Sequence, residues 1–144
     1  MGRILGIDFG EKRIGLAISD ELGLTAQGLD TLESKNSKKH IALLKEIIQE
    51  NKVDKIVVGL PLDRNGNINK DSAVIDFVDR LKDGLKLPIE TWDERLSTVE
   101  ASRILLQADT SRRKRKRVVD KLAAQIILQG YLDYVNAKFR TSSA

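Results

Sequence analysis

Apolar residues dominate positions 3 to 9, where Ile4-Leu5-Gly6-Ile7 runs into Asp8-Phe9-Gly10, and the pattern predicts a buried strand. Gly10-Glu11-Lys12 reads as a tight turn, and Ile14-Gly15-Leu16-Ala17-Ile18-Ser19 as a second strand. A connection this short permits only an antiparallel pair, because parallel neighbours need a long crossover. Thr25 to Leu32 is a third candidate strand. The period then changes. Ile41, Leu44, Ile47 and Ile48 fall at helical spacing, with Ser37 placed to cap the N-terminus. Lys55-Ile56-Val57-Val58-Gly59 predicts a strand buried on both faces, and Asp63-Arg64-Asn65-Gly66-Asn67 is loop composition. Val74, Phe77, Val78 and Leu81 predict a second helix closing near Gly84. Pro88 to Trp92 predicts a strand that runs into Asp93-Glu94-Arg95. Ser97 and Glu100 form a capping box, so a helix opens there. The run Arg112 to Arg117 is read as interrupting it, and Val119, Leu122, Ala123, Ile126 and Ile127 define a last helix.

The order β-β-β-α-β-α-β-α-α joins an antiparallel meander to βαβ units, which require parallel pairing. The expected fold is therefore α/β, a mixed five-stranded sheet with helices on both faces. Ligands in such sheets collect at the C-terminal ends of the parallel strands. At 144 residues the chain fits one domain, expected over residues 1–137, with 138–144 as a frayed tail.

The chain has no cysteine, which removes disulfides, thiolate metal sites and cysteine nucleophiles. There is no apolar run long enough to span a membrane, and Asp8 falls where a signal peptide would remain apolar, so a cytoplasmic location is expected. Net charge is +4 with a sequence pI near 9.4. That basicity is local. Without the six consecutive cations Arg112-Arg113-Lys114-Arg115-Lys116-Arg117, acidic residues would outnumber basic ones.

Three acidic positions stand where core-facing or strand-end residues belong. Asp8 follows a nearly apolar strand. Asp93 and Glu94 end the strand that begins at Pro88. Asp120 shares a helix face with Ala123, Ala124 and Ile127. A carboxylate on an apolar face is costly unless it meets a cation or a donor. Hard divalent cations give the three a common purpose. Mg²⁺ takes oxygen ligands, and a pair of such ions can activate water and stabilise a leaving oxygen on phosphorus. Each acid also has a purely structural reading. Asp8 could cap the turn at Gly10, one of Asp93 and Glu94 could be solvated, and Asp120 could serve the helix dipole. Spacing alone does not choose between Asp93 and Glu94.

The motifs resemble those of one family. Asp8-Phe9-Gly10-x-Lys12-Arg13-Ile14-Gly15-x-Ala17 is similar to the opening of the YqgF proteins, also called RuvX or pre-16S ribosomal RNA nucleases. Val58-Gly59-Leu60-Pro61-Leu62 with Gly66, Asp93-Glu94-Arg95-Leu96-Ser97-Thr98, and Val119-Asp120-x-x-Ala123-Ala124 resemble the family's remaining motifs, in order, over about residues 3 to 135. The resemblance implies an RNase H-like fold and assigns the catalytic and metal-binding acids to Asp8, Glu94 and Asp120. It also implies Mg²⁺ or Mn²⁺, as two ions, and a nucleic-acid substrate. That substrate is structured RNA, in 5′-end maturation of the small-subunit rRNA precursor, or branched DNA, by likeness to RuvC. A junction resolvase would need a dimer, whereas a ribosomal RNA processor need not, so the chain is expected as a monomer or weak homodimer.

Candidate substrate-binding residues are Arg13 and Arg95, which flank the carboxylate motifs, Arg64 at the loop tip, and Arg112, Arg113, Lys114 and Arg115. Arg13 and Arg95 have two readings, phosphate binding or electrostatic balance of the acids. The basic run has two as well, phosphate neutralisation or a solvated loop. His40, the single histidine, is expected at the surface, and Trp92, Val74, Phe77 and Leu81 in the core. Two other functions compete. A sugar kinase or actin-like ATPase would need a second domain to clasp a nucleotide, and no second glycine-rich phosphate motif is present. A non-catalytic nucleic-acid-binding module would have no need of three such acids.

Overall fold

The computed structural model describes residues 2–10, 13–33, 37–60, 73–93 and 112–142, with backbone alone for 37–38, 73, 112–121 and 138–142. Five strands, β1 (Arg3–Phe9), β2 (Arg13–Ser19), β3 (Ala26–Glu33), β4 (Val53–Leu60) and β5 (Ile89–Asp93), form one sheet in the order β3-β2-β1-β4-β5. β1 pairs antiparallel with β2 and β2 with β3, while β1–β4 and β4–β5 are parallel. The short β1–β2 connection gives the antiparallel pair that its length requires. The helices are α1 (Ser37–Asn51), α2 (Ala73–Gly84) and α3 (Arg112–Ser142). The helix expected to open at Ser97 lies outside the described residues.

Strand alternation sorts the core into two layers. Leu5, Ile7, Ile14, Leu16, Ile56 and Val58 meet Leu44 of α1 and Phe77 and Leu81 of α2 on one face. Ala17, Val57 and Trp92 meet Ala123, Ala124, Ile127, Leu128 and Tyr131 of α3 on the other. Each fully buried Leu or Ile contributes roughly 1.5–3 kcal/mol. Gly6 lets α3 lie close on β1, since a Cβ there would stand 2.8 Å from the Leu128 Cβ and 3.5 Å from the Ala124 carbonyl oxygen.

Side-chain amides fix the direction of α3. Gln129 accepts from the Ala26 amide at 2.9 Å and donates to the Leu24 carbonyl at 2.9 Å, Gln125 donates to the Ala26 carbonyl at 3.0 Å, and Asn136 donates to the Gly23 carbonyl at 3.0 Å. These partners sit in the β2–β3 turn and at the start of β3. The C-terminal half of α3 therefore lies at that end of the sheet, and its N-terminal half points to the end where β1 finishes. The turn itself is organised by Asp20, whose Oδ1 accepts from the Leu24 and Thr25 amides at 2.8 and 3.2 Å, with Gly23 at φ +69°. Those amides, Leu24 first, hold the Asp20 carboxyl below its ordinary range.

Two expectations are corrected. His40 is buried at 2% exposure rather than on the surface. Its Nε2 donates to the Glu33 carbonyl oxygen at 2.7 Å, and its ring meets Phe77 edge-on, with centroids 6.1 Å apart. The polar neighbours Lys38 and Lys39 hid a position one turn before Leu44, on the apolar face of α1. The basic run is itself helical rather than a break. Arg112 to Arg117 form the first turns of α3, as the high helix propensity of Arg and Lys allows.

Candidate nuclease site

The parallel strands β1, β4 and β5 finish at Phe9, Leu60 and Asp93 along one edge of the sheet. Asp8 is the penultimate residue of β1 and is 5% exposed. Its neighbours fix its orientation. Ile7 belongs to the core layer beneath α1 and α2, and Phe9 stacks on Phe77 of α2 at 4.7 Å between centroids. Successive strand residues point to opposite faces, so Asp8 points to the α3 side. Its partner across the β1–β2 ladder is Gly15, which adds no side chain there.

The backbone brings position 120 to the same place. Gly6 packs against Ala124 and Leu128. Asp8 lies two residues further along β1, an advance of about 6.6 Å. Asp120 lies one turn back along α3 from Ala124, about 6 Å in the same direction because α3 runs opposite to β1. The remaining proposed acid, Glu94, directly follows the last residue of β5 and lies outside the described residues, as do Arg64 and Arg95. Asp93, the alternative to Glu94, is half-buried at the end of β5, paired with Leu60. Arg112, Arg113, Lys114 and Arg115 lie on the α3 backbone two turns before Asp120, beyond the sheet edge that carries Asp8.

Arg13 opens β2 at the same edge, and its Nη1 is buried with no hydrogen-bond partner among the described residues. Trp92 is core as expected, 8% exposed between Tyr131 and Tyr134 at 5.7 and 5.4 Å between ring centroids. On the same face, away from the Asp8 edge, Glu90 accepts from Lys55 at 2.7 Å and from the Tyr131 hydroxyl at 2.9 Å. The Lys55 bond is the main reason the Glu90 carboxyl is held below its ordinary value. Burial lowers Lys55, but its bonds to Glu90 and Tyr131 outweigh that and raise it. This network ties α3 to β4 and β5. Gln125 and Gln129 are marked in the sequence only as two amides four residues apart beside the apolar face of α3.

Among the described residues no group of three His, Asp or Glu side chains stands close enough to hold a metal ion. The described part of the proposed donor set, the rigid carboxylate of Asp8, is a hard oxygen donor of the kind Mg²⁺ and Mn²⁺ prefer.

The family model described as RuvX, Holliday junction resolvase, matches residues 2–134. The chain belongs to the RuvX family. A relative in Halothermothrix orenii, with the provisional name pre-16S rRNA nuclease, is 49% identical over 135 residues, covering 93% of this chain and 96% of that one. A Clostridioides difficile relative of the same name is 54% identical over 134 residues, covering 92% and 95%. Among solved structures, Thermus thermophilus RuvC in complex with a Holliday junction superposes with a TM-score of 0.56 at 13% identity, covering 93% of this chain and 96% of that one. The fowlpox virus Holliday junction resolvase gives 0.52 at 15% identity, covering 92% and 99%. At those identities the likeness is one of fold, and it is the RNase H-like fold of RuvC. With its RuvX relatives the chain is a nuclease, a hydrolase of phosphodiester bonds whose partner is nucleic acid. Among the described residues no helix is long and apolar enough to cross a membrane.

Proposed function

We propose that this nuclease matures the 5′ end of the pre-16S rRNA in the cytoplasm, with Asp8, Glu94 and Asp120 as catalytic and metal-binding acids. The observation that carries the proposal is the Asp8 carboxylate, buried at the C-terminal edge of the parallel strands and facing the helix that brings position 120 level with it. The substrate is that of the curated relatives' names. One domain over residues 1–137 suffices for the chemistry, in a monomer or weak homodimer.

Asp8 sits on a central strand, so its oxygens are fixed before substrate arrives, and little reorganisation is needed at the reacting phosphate. Glu94 and Asp120 would complete a carboxylate set for Mg²⁺ or Mn²⁺ from the β5 and α3 sides. Two such ions would supply Lewis acidity and a water nucleophile of lowered pKa. The acids themselves bind, orient and balance charge, and no covalent protein nucleophile is required.

The test is cleavage of pre-16S rRNA and of four-way junction DNA with and without Mg²⁺ or Mn²⁺, by wild type and Asp8→Asn. The expected result is metal-dependent cleavage of the RNA, lowered at least ~100-fold in Asp8→Asn with its melting temperature retained, since the variant loses a metal-binding carboxylate. Cleavage of the junction alone would transfer the activity to DNA resolution. Wild-type rates in a folded Asp8→Asn protein would remove Asp8 from the chemistry.

A further inference from the structure

Arg13 lies on the α3 face of the sheet. Ile14 beside it enters the opposite core layer, and the Gly10 amide donates to the Arg13 carbonyl at 2.9 Å, locking the start of β2 to the end of β1. Asp8 pairs with Gly15, so Arg13 is its diagonal neighbour across the ladder, at about 7–8 Å and within reach of a long side chain. Gly15, between them on β2, adds no side chain of its own. A Cβ at Gly10 would stand 2.6 Å from the Arg13 carbonyl oxygen, so glycine is what lets this corner close so tightly.

Two features separate Arg13 from an arginine that merely balances charge. Its Nη1 is buried and lacks a hydrogen-bond partner among the described residues. Glu33 stands directly opposite it in the β2–β3 register, yet among the described residues no ion pair joins the two. A guanidinium that leaves the adjacent carboxylate unused, and hides a donor at the edge where Asp8 lies, calls for another acceptor, because a buried unsatisfied donor is costly. The planar fork of arginine matches the oxygens of a phosphate.

We infer that Arg13 binds a phosphate of the nucleic-acid strand held at Asp8. The inference rests on the nuclease reading and resolves the choice between phosphate binding and charge balance at this residue. Arg13 is a substrate-binding group, so its loss raises KM more than it lowers kcat.

The test measures affinity for single-stranded RNA from the pre-16S 5′ region over a salt series, with Asp8→Asn as the non-cleaving parent. Each phosphate contact on a single strand contributes about 0.7 to the slope of log affinity against log salt. Arg13→Gln in that parent is expected to lower the slope by about 0.7 with unchanged melting. Arg13→Lys keeps the charge but loses the fork, so it should hold the slope while weakening affinity about tenfold. An unchanged slope in folded Arg13→Gln overturns the inference and leaves the nuclease reading standing. If Arg13→Gln does not fold, Arg13→Lys decides, and unchanged affinity overturns the inference. A parent that binds neither the RNA nor four-way DNA overturns the nuclease reading, and this inference with it.

Discussion

His40 is fixed by one hydrogen bond. The Glu33 carbonyl oxygen can only accept, so Nε2 donates to it, while Nδ1 is buried with no partner among the described residues. Replacing His40 with alanine removes that bond, strands the carbonyl and opens a void against Phe77. His40→Ala should cost about 2–4 kcal/mol in urea unfolding while leaving cleavage per folded molecule intact. Glu90 gives a pH-dependent counterpart. Its folded pKa is depressed below 4.5, so its stabilising contribution is present above that value and is lost as the pH falls through the folded value. The bond to Lys55 is half-exposed and is worth about 0.2–1 kcal/mol. Wild type should therefore melt slightly above Glu90→Gln at neutral pH, and the gap should close in acid. His40 and Asp8 also mark how far single residues are legible in sequence. Asp8 ends an apolar strand and stands out because burying an acid is costly. His40 does not, because a histidine beside two lysines looks solvated until α1 is seated against the end of β3.

At the scale of elements, the proposed site depends on where α3 lies. Gly6 sets the approach and the Gln125 and Gln129 amides set the direction. Gly6→Ala would force a Cβ to within 2.8 Å of the Leu128 Cβ, and α3 must move to relieve it. The expected result is a loss of about 1–3 kcal/mol in stability. Cleavage should fall further than the unfolded fraction explains, because Asp120 moves with the helix. A parallel melting and activity series on Gly6→Ala checks both. The strands and helices were legible from period, and β1–β2 pairing from turn length. The extent of α3 was not. A block of six like charges reads as a solvated break, whereas Arg and Lys are good helix formers and here continue the helix that the buried face of α3 anchors.

At the scale of the molecule, the charge is concentrated. The basic run extends α3 beyond the sheet edge that carries Asp8, where it would meet phosphates away from the bond being cut. Changing Arg112, Arg113, Lys114 and Arg115 together to glutamine should lower the salt slope of RNA binding by up to about 3. KM should rise steeply, with kcat at saturating RNA little altered. A slope equal to that of wild type would return the run to a purely solvated role.

The sequence by itself determined the element types and the mixed sheet and singled out Asp8 and Asp120 as candidate acids, because periodicity and the cost of burying charge are local properties of the chain. Through the motifs it also determined the family. Only the tertiary structure decided that Asp8 faces α3 rather than α2, that position 120 lies level with it, that Arg13 forms no ion pair with Glu33 opposite it, and that His40 is inside. Those outcomes depend on which face of the sheet receives which helix and in which direction it runs. That is settled by packing at Gly6 and by amides that bond residues about a hundred positions apart, which no local pattern encodes.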